Sequence, residues 1–429
     1  MIRGLSQIAL ATAIRLASSI CVFLYAATVW RPEEFGAFMF AFSVSAMLVL
    51  CCEFGFSQQV LRDVGRVPSE IGAVMTRFLA SKIWLSVAVL VAGCTYALLS
   101  NALSRDLSLQ FLSLLAAAVL LSFSDLVFNA LRSLGRYGDE LRVSTITNGL
   151  TVVALVLVIA SGGTPLELAV AILITRALQF ALVGRLFLAG WVSFNGLRSH
   201  GSWSNTRQTL RNGAAYASDV FVGAALLNLD MIIVSRMLGY VEAGVYQAAA
   251  RLSQGVGVVF SVLASYFLPK LSAESVSTGD SSHASKTRFA WTTVALGMVL
   301  ILGFLVAYLA YQRSPTGTTL NIASALLPGF AALVIPRLLS GYLGVILTAD
   351  GNQRLRAICY ALSLCMFVLL AHFLVGKLGT PGVLLAYAIS YSTLAFAFMV
   401  LLWQRLPKLP AICVAVSVIA SSCILLFLI

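Results

Sequence analysis

The chain has 429 residues, of which 60% are hydrophobic and 10% are charged, and its mean hydropathy is +0.96. These values lie far outside the range of soluble globular domains and identify a polytopic membrane protein. The formal net charge of +12 does not indicate a nucleic-acid-binding protein, because such a site needs a basic patch on a soluble domain and the sequence has no such domain.

Apolar runs long enough to cross a bilayer recur along the whole chain. At 1.5 Å of rise per residue, a helix needs about 20 residues to span about 30 Å of hydrocarbon. Thirteen runs of this kind cover residues 5–29, 37–59, 77–99, 108–131, 142–160, 166–189, 213–236, 242–267, 289–311, 321–347, 355–376, 382–403 and 411–429. We therefore predict an all-α polytopic fold. The first run is too long for a signal-peptide core and no clean cleavage site follows it, so we interpret it as a structural helix.

Basic residues are divided unevenly between the two ends of these predicted helices. Even-numbered loops and adjoining helix ends carry eighteen: Arg62, Arg66, Arg77, Lys82, Arg132, Arg136, Arg142, Arg185, Arg198, Arg207, Arg211, Lys270, Lys286, Arg288, Arg354, Arg356, Arg405 and Lys408. Odd-numbered loops carry five: Arg31, Arg105, Arg236, Arg313 and Lys377. Because basic loops stay in the cytoplasm, we predict that the amino terminus and the even-numbered loops are cytoplasmic.

The cysteine and histidine residues do not follow a metal-binding pattern. The eight cysteines lie inside apolar segments and the three histidines are isolated from one another. We expect thiols that behave as small apolar groups, without a disulfide framework or a zinc site. The sequence also lacks a G-x-x-x-x-G-K-[ST] motif, so neither ATP hydrolysis nor a cofactor is predicted.

An internal repeat divides the chain. The stretch "VWRPEEFGAFMFAFSVSA" after the first predicted helix resembles "SRMLGYVEAGVYQAAARLSQ" after the seventh, which aligns Gly36 with Gly244, 208 residues later. "ALRSLGRYGDELR" likewise resembles "VILTADGNQRLR", at an offset of 214 residues. Repeats of this length indicate two copies of one structural unit. Since six helices separate the copies, both begin on the same side of the membrane and the repeats are parallel.

This repeat predicts two lobes around a central cavity, the arrangement of a rocking transporter. Residues 1–190 form the predicted amino-terminal lobe and residues 213–403 the carboxyl-terminal lobe. The polar stretch at 191–212 is the predicted cytoplasmic linker, and residues 404–429 hold the thirteenth helix.

Two segments carry a family resemblance. "RPEEFGAFMFAFSVSAMLVLCCEFGFSQQVLRDVGR" (31–66), and "LDMIIVSRMLGYVEAGVYQAAARL" followed by "YFLPKLS", resemble the signatures of bacterial polysaccharide flippases. These belong to the multidrug/oligosaccharidyl-lipid/polysaccharide exporter superfamily and include O-antigen and exopolysaccharide exporters. The matching positions are Asp230, Gly244, Tyr246, Arg251 and Pro269. The resemblance covers nearly the whole chain. The thirteenth apolar run departs from the family's plain twelve-helix pattern.

The resemblance implies a transporter of the bacterial cytoplasmic (inner) membrane. It would move a polyprenyl-diphosphate-linked oligosaccharide across the bilayer by alternating access, without catalysis. Its expected partners are that lipid-linked glycan and the bilayer itself. A polysaccharide polymerase is a further candidate partner, and nucleic acid is not expected.

Four arginines lie deep in predicted helices and are the candidate substrate ligands: Arg15, Arg176, Arg251 and Arg337. Charge inside a bilayer is costly and usually faces a cavity or a partner. A guanidinium stays charged and binds phosphate oxygens in a planar, bidentate fork, which suits a diphosphate head group. Arg15 and Arg251 lie nearest mid-membrane, whereas Arg176 is expected to lie behind the cavity. Lys82 is close enough to a helix end to extend its amine to the surface.

The acidic candidates for gating or ion pairing are Asp125, Asp219, Asp230 and Glu53. Asp125 and Arg337 occupy nearly equivalent places in the two repeats, 212 residues apart, and we expect them to meet across the lobe interface. The alternative is that these charges form fixed structural pairs or caps. Pro336 frees a backbone carbonyl beside Arg337, so either Arg337 satisfies that carbonyl or the kink is a hinge.

Three other functions remain in view. A drug/cation antiporter of the same superfamily should carry acids rather than arginines in its amino-terminal lobe. A lipid II flippase would fit a fourteen-helix pattern better. A membrane polymerase or ligase needs a sizeable external loop for its catalytic residues, and the predicted external loops are short.

Overall fold

The computed structural model describes residues 2–66, 68–99, 104–192, 202–274, 280–313, 318–350 and 352–402. The long helices in these ranges, in chain order, are α1 (Ile2–Val29), α2 (Pro32–Glu53), α3 (Phe56–Arg66), α4 (Ile71–Leu99), α5 (Arg105–Ser133), α6 (Tyr137–Ala160), α7 (Pro165–Val183), α8 (Trp203–Met237), α9 (Tyr240–Glu274), α10 (Asp280–Gln312), α11 (Leu327–Ala349), α12 (Gln353–Leu378) and α13 (Thr380–Leu402). A π turn at Gly184–Leu188 continues α7 into the short helix Ala189–Trp191, and the short helix Thr319–Ala323 precedes α11.

Eleven helical segments within these ranges are long and apolar enough to cross a membrane. They include α1, α2, α4 to α7 and α9 to α13, and each coincides with a predicted span. The predicted span 213–236 lies within α8, several of whose side chains are outside the described part of the structure. The predicted thirteenth helix at 411–429, and with it residues 404–429, lies outside the described residues.

The second span begins and ends earlier than predicted, at Pro32 and Glu53 instead of residues 37 and 59. It ends at Glu53, because Phe54 and Gly55 both adopt left-handed backbone conformations, with φ of 42° and 68°. These two residues turn the chain out of α2 and into α3, which is strongly amphipathic. A helix of this kind is suited to lie in the membrane surface rather than cross it.

Local sequence fixes several helix starts. Ser104 caps α5 by accepting a hydrogen bond from the backbone N–H of Leu107. Thr164 and Glu167 form a reciprocal capping box at the start of α7, where Pro165 occupies the first turn. Such caps satisfy amide groups that have no partner within the helix, so they define where these spans begin.

The chain divides into two compact units. The first comprises Met1–Val29 and Ala37–Ile232, and the second comprises Trp30–Gly36 and the described residues from Ile233 onward. Of the predicted linker 191–212, residues 203–212 are helical, begin α8 and group with the first unit; their role as a linker stays a prediction. Residues 193–201 of that linker are outside the described ranges.

Each unit is organised around one central helix. In the first unit α5 packs against α7 and α4, while α1 packs against α6. In the second unit α11 packs against α9, α10 and α13. These central helices correspond to the fourth and tenth predicted spans. They are the most buried spanning segments of their units, since 61% and 72% of the residues in their apolar stretches are buried. They carry Asp125 and Arg337 respectively.

The starts of α2 and α9 cross at two glycines of the second unit. A Cβ added to Gly36 would overlap the carbonyl oxygen of Tyr240, and one added to Gly244 would overlap that of Pro32. The arrangement is reciprocal, because each glycine meets the carbonyl four residues before the other. Only glycine permits two helix backbones to approach this closely. The residues that the repeat aligns are thus in direct contact.

Candidate functional site

A cavity of about 270 Å³ lies within the first unit, among side chains of α1, α2, α5, α6 and α7. Most of its wall is apolar, as expected between membrane helices. Four charged candidates from the sequence line it: Arg15, Glu53, Asp125 and Arg176. The structure therefore brings two of the four arginines together with two of the four acids.

Arg15 and Asp125 form an ion pair across this cavity. Nη1 of Arg15 donates to Oδ1 of Asp125 over 3.0 Å, and the two side chains are 40% and 26% exposed. The partner of Asp125 is thus a residue of its own unit, on α1. The carboxylate offsets the charge of Arg15, which leaves less of that charge available to an anion in the cavity.

Arg176 is held differently. Its Nη1 donates to Oε1 of Gln179 over 2.6 Å and, more weakly, to Oδ1 of Asn148 over 3.4 Å. Both acceptors are neutral amides, and within the described ranges no carboxylate lies within salt-bridge distance of Arg176. The guanidinium is therefore fixed in position while its positive charge is retained. Although it was expected behind the cavity, Arg176 lines the cavity wall.

Lys82 does not extend to the membrane surface as expected. Its side chain is fully buried, with an exposure of 0%, and its Nζ lies 5.5 Å from the centre of the Phe123 ring. Among the described residues Nζ has no hydrogen-bond partner. The acidic groups whose charges act on it are Glu53 and Asp125, both from the cavity wall. Close packing of α4 against α5 encloses the amine, because the side chain points into the unit instead of along the helix surface.

The second unit holds the other two arginines on neighbouring helices. Arg251 of α9 is 7% exposed, and its Nη1 donates to Oε1 of Gln254 over 3.1 Å. Arg337 of α11 donates from Nη1 to the carbonyl oxygen and to Oγ of Ser253, over 2.8 and 3.0 Å. Arg337 thus satisfies a carbonyl of α9. Gly257 leaves room for this guanidinium, since a Cβ there would lie 3.1 Å from Nη2.

The remaining acids lie on α8. Asp230 is 6% exposed, and its Oδ1 accepts a hydrogen bond from the backbone N–H of Met231 over 2.8 Å. The position of Asp219 is helical, but its side chain is outside the described part of the structure. Asp230 is not among the described residues that line the cavity of the first unit.

Two residues of the site were missed by sequence reasoning. Asn148 and Gln179 hold Arg176, yet each is a single amide in an apolar helix and attracts no attention alone. The available pattern was the spacing of Arg176 and Gln179, three residues apart on one helix face. The contact with Asn148 joins two helices and requires the fold.

The sequence profile described as "Polysaccharide biosynthesis protein" matches residues 2–273, more than half of the chain. The chain belongs to this family. No curated protein matches it in sequence. The resemblance to polysaccharide exporters is thereby confirmed at the level of the family.

Solved structures show the same fold at low sequence identity. An inward-facing multidrug resistance MATE family transporter of the MOP superfamily aligns with a TM-score of 0.71 and 14% identity, over 92% of this chain and 98% of that one. The lipid II flippase MurJ, in an inward closed conformation, aligns with a TM-score of 0.69 and 15% identity, over 97% and 92%. A MOP superfamily transporter from Pyrococcus furiosus, with a binding pocket described as of reverse polarity, aligns at 0.64 and 14%, over 94% and 95%.

These matches confirm the predicted fold class. This chain is an all-α, multi-pass membrane protein with the two-lobe fold of MOP superfamily transporters.

Proposed function

We propose that this protein is a flippase that moves a polyprenyl-diphosphate-linked oligosaccharide, such as an O-antigen or exopolysaccharide repeat unit, across the bacterial cytoplasmic membrane by alternating access. Family membership supports a role in polysaccharide biosynthesis, and the transporter fold supports movement rather than catalysis. The observation that carries the proposal is Arg176, a guanidinium on the wall of an intramembrane cavity whose hydrogen-bond acceptors, among the described residues, are neutral amides.

Arg176 has the properties that a diphosphate ligand requires. Its two amide acceptors fix the planar group, so less conformational entropy is lost when an anion binds. Because these acceptors are neutral, the positive charge remains to offset the cost of removing a diphosphate from water. Arg251 and Arg337 are the corresponding ligands that we propose in the second unit, and Arg15 is a weaker ligand because Asp125 already pairs with it.

The predicted orientation gives the transport a driving force. With the amino terminus in the cytoplasm, the anionic head group would move from the cytoplasmic to the external face of the membrane. The membrane potential does not oppose this movement. An inside-negative potential favours outward movement of an anion by about 2.3 kcal/mol per charge for each 100 mV. Reporter fusions after Arg211 should be cytoplasmic, and an external signal there would contradict the orientation.

Reconstituted transport tests the proposal directly. Full-length protein in proteoliposomes should move a fluorescent polyprenyl-diphosphate-linked disaccharide between leaflets, measured by quenching of the outer leaflet. Arg176→Ala should slow this movement by about tenfold or more, the loss expected for a hydrogen bond to a charged group. Arg176→Lys should restore it in part, because an ammonium lacks the planar fork.

Arg185→Ala is the matched control. Arg185 lies on the π turn that follows α7 and is exposed, so its replacement removes one positive charge from the same segment without touching the cavity. Equal loss in both alanine variants would indicate a general effect of charge. A wild-type protein that leaves the lipid probe in place would refute the flippase.

A drug/cation antiporter is the second candidate, and Glu53 is the observation that favours it. This carboxylate lines the cavity beside Asp125, so the amino-terminal half holds two acids rather than one. An antiporter would move tetraphenylphosphonium against a proton gradient, and Glu53→Gln would abolish that movement. If the lipid probe were static while the phosphonium moved, the antiporter would replace the flippase.

A further inference from the structure

A second cavity of about 330 Å³ lies in the first unit, between α3, the start of α4 and the first turns of α8. We call it the amide cavity, after the side chains that line it. Its polar lining includes Gln59, Asp63, Arg77, Asn205, Gln208 and Asn212. The volume is within the range of small-ligand sites, about 300–1,000 Å³. None of these residues belongs to the intramembrane cavity described above.

Gln59 is the most buried polar side chain described in this cavity. Its exposure is 4%, and in the described part of the chain its Nε2 has no hydrogen-bond partner. Leaving a buried amide donor unsatisfied is unfavourable, and proteins rarely do so without a ligand or water. Gly213 makes room for this amide, because a Cβ at that position would lie 2.7 Å from Nε2.

The charges of the amide cavity are already paired. Nη2 of Arg77 donates to Oδ2 of Asp63 over 2.9 Å, and the guanidinium also lies 4.7 Å from the centre of the Phe78 ring. Four carboxamides, on Gln59, Asn205, Gln208 and Asn212, supply most of the remaining polar groups. Each amide can donate and accept, as the hydroxyl groups of a neutral sugar do. A phosphate would need a cation that lacks a carboxylate partner.

Two features indicate that the amide cavity lies near the membrane surface. Trp203, at the start of α8, packs edge to face against Trp84 of α4, with ring centres 6.3 Å apart. The two indoles are 63% and 48% exposed. Trp203 lies at a helix end, and exposed tryptophans at such ends are typical of the boundary between hydrocarbon and water. The amphipathic helix α3, another wall of the cavity, is likewise suited to this boundary.

We propose that the amide cavity is a binding subsite for a neutral saccharide. Resting on the proposed function, the inference adds that the cavity receives the sugar adjacent to the diphosphate when the lipid-linked substrate is at the membrane surface. Two separate sets of polar side chains would then bind two different parts of the substrate. Arginines bind the phosphates, and carboxamides bind the glycan.

Binding of soluble sugars to the full-length protein in lipid nanodiscs tests the subsite. The probes are the methyl glycosides of glucose, galactose, mannose, rhamnose, N-acetylglucosamine and N-acetylgalactosamine, detected by saturation-transfer difference NMR. At least one should bind. Gln208→Leu and Asn212→Leu should each weaken its affinity by about two- to tenfold, the loss of one neutral hydrogen bond.

The neighbouring residues of α8 provide matched controls. Arg207 and Arg211 are exposed like Gln208 and Asn212, but they do not line the cavity. Arg207→Leu and Arg211→Leu should therefore bind the glycoside as the wild type does. Because all four side chains are exposed, none of these substitutions should prevent folding.

Three outcomes would overturn the subsite. In the first, none of the six glycosides binds. In the second, the lining variants and the control variants bind the glycoside equally well. In the third, inorganic pyrophosphate displaces the sugar and the lining variants bind pyrophosphate more weakly than the wild type, which would indicate an anion site. The probes contain neither lipid nor phosphate, so sugar binding would survive failure of the flippase proposal. Intact transport of the lipid probe without sugar binding would remove the subsite alone.

Discussion

The two repeats share a backbone contact but not a charge pattern. Gly36 and Gly244, which the repeat aligns, meet each other and occupy equivalent places in the crossing of α2 and α9. Asp125 and Arg337 also occupy nearly equivalent places, on the central helices α5 and α11. However, Asp125 accepts from a guanidinium of α1, whereas Arg337 donates to a serine of α9.

The difference separates what the fold requires from what the substrate requires. Close helix packing admits only glycine at the crossing, whichever repeat supplies it. Buried charges, in contrast, need only some partner of suitable chemistry, so they can change independently in the two halves. The first repeat consequently contains acids and bases around one cavity, while Arg251 and Arg337 of the second have neutral oxygens among their acceptors.

Substitution of the crossing glycines should have the largest effect. Gly36→Ala and Gly244→Ala each place a methyl group against a backbone carbonyl that cannot rotate away. Overpacking of this kind costs on the order of 1–3 kcal/mol, and the amount of inserted protein should fall several-fold. Quantitative immunoblotting of membrane fractions measures the loss.

Gly149→Ala and Gly303→Ala are the controls for that comparison. A Cβ at either position would meet no atom within 4 Å, so abundance should not decrease. If only one of the two crossing glycines were sensitive, the crossing would not be equivalent in the two repeats.

Lys82→Met should stabilise the first repeat. Methionine has a similar length and removes a buried ammonium that lacks a hydrogen-bond partner in the described structure. Relief of about 1 kcal/mol or more is expected, with a rise of about 2 °C or more in the melting temperature of the purified protein. Lys377→Met, at an exposed site of the second repeat, should leave the melting temperature unchanged. A lower melting temperature for Lys82→Met would show that its charge stabilises the cavity acids.

The Arg15 and Asp125 pair should behave as a structural unit. Asp125→Asn should destabilise the protein by about 1 kcal/mol, because both side chains are partly exposed. The double variant Arg15→Gln with Asp125→Asn should recover most of this loss and most of the transport. A double variant that folds normally but does not transport would make Arg15 a principal substrate ligand rather than the weaker one proposed above, and would bring the two repeats closer in function.

Gly257→Ala should have the smallest effect. The new methyl group would lie 3.1 Å from Nη2 of Arg337, and a flexible guanidinium can move by a few tenths of an ångström. Alanine also favours the helix, so thermal stability should be equal to or slightly above that of the wild type. Gly303→Ala, with open space around it, gives the helix effect alone. Loss of transport in Gly257→Ala alone would indicate that Arg337 tolerates no displacement.

Hydropathy predicted the spanning segments because each spanning helix must satisfy its own backbone and present apolar side chains to lipid. The end of α2 was missed, since the left-handed conformations of Phe54 and Gly55 come from a turn that hydropathy does not report. The helical start of α8 was missed for a related reason. Hydropathy places the start of this span at residue 213, although a helix at the membrane surface can be polar along much of its length.

The candidate site was predictable as a set of residues but not as a set of contacts. Burying a charge is costly enough that Arg15, Asp125 and Arg176 attract attention in sequence. Their partners depend on which helices are neighbours. The ion pair of Arg15 joins residues 110 positions apart, and the amide that assists Arg176 comes from α6. The relative importance of these arginines therefore became clear only from their acceptors.

The reciprocal glycine crossing has a consequence for the history of the chain. If the repeats descend from one gene whose product formed a symmetric dimer, Gly36 and Gly244 were once the same residue, facing its own copy across the twofold axis. A single mutation would then have introduced two steric clashes at once. After duplication and fusion each glycine could mutate alone, yet either change still meets the carbonyl of the other segment. Each of the two positions would therefore still require glycine after the fusion.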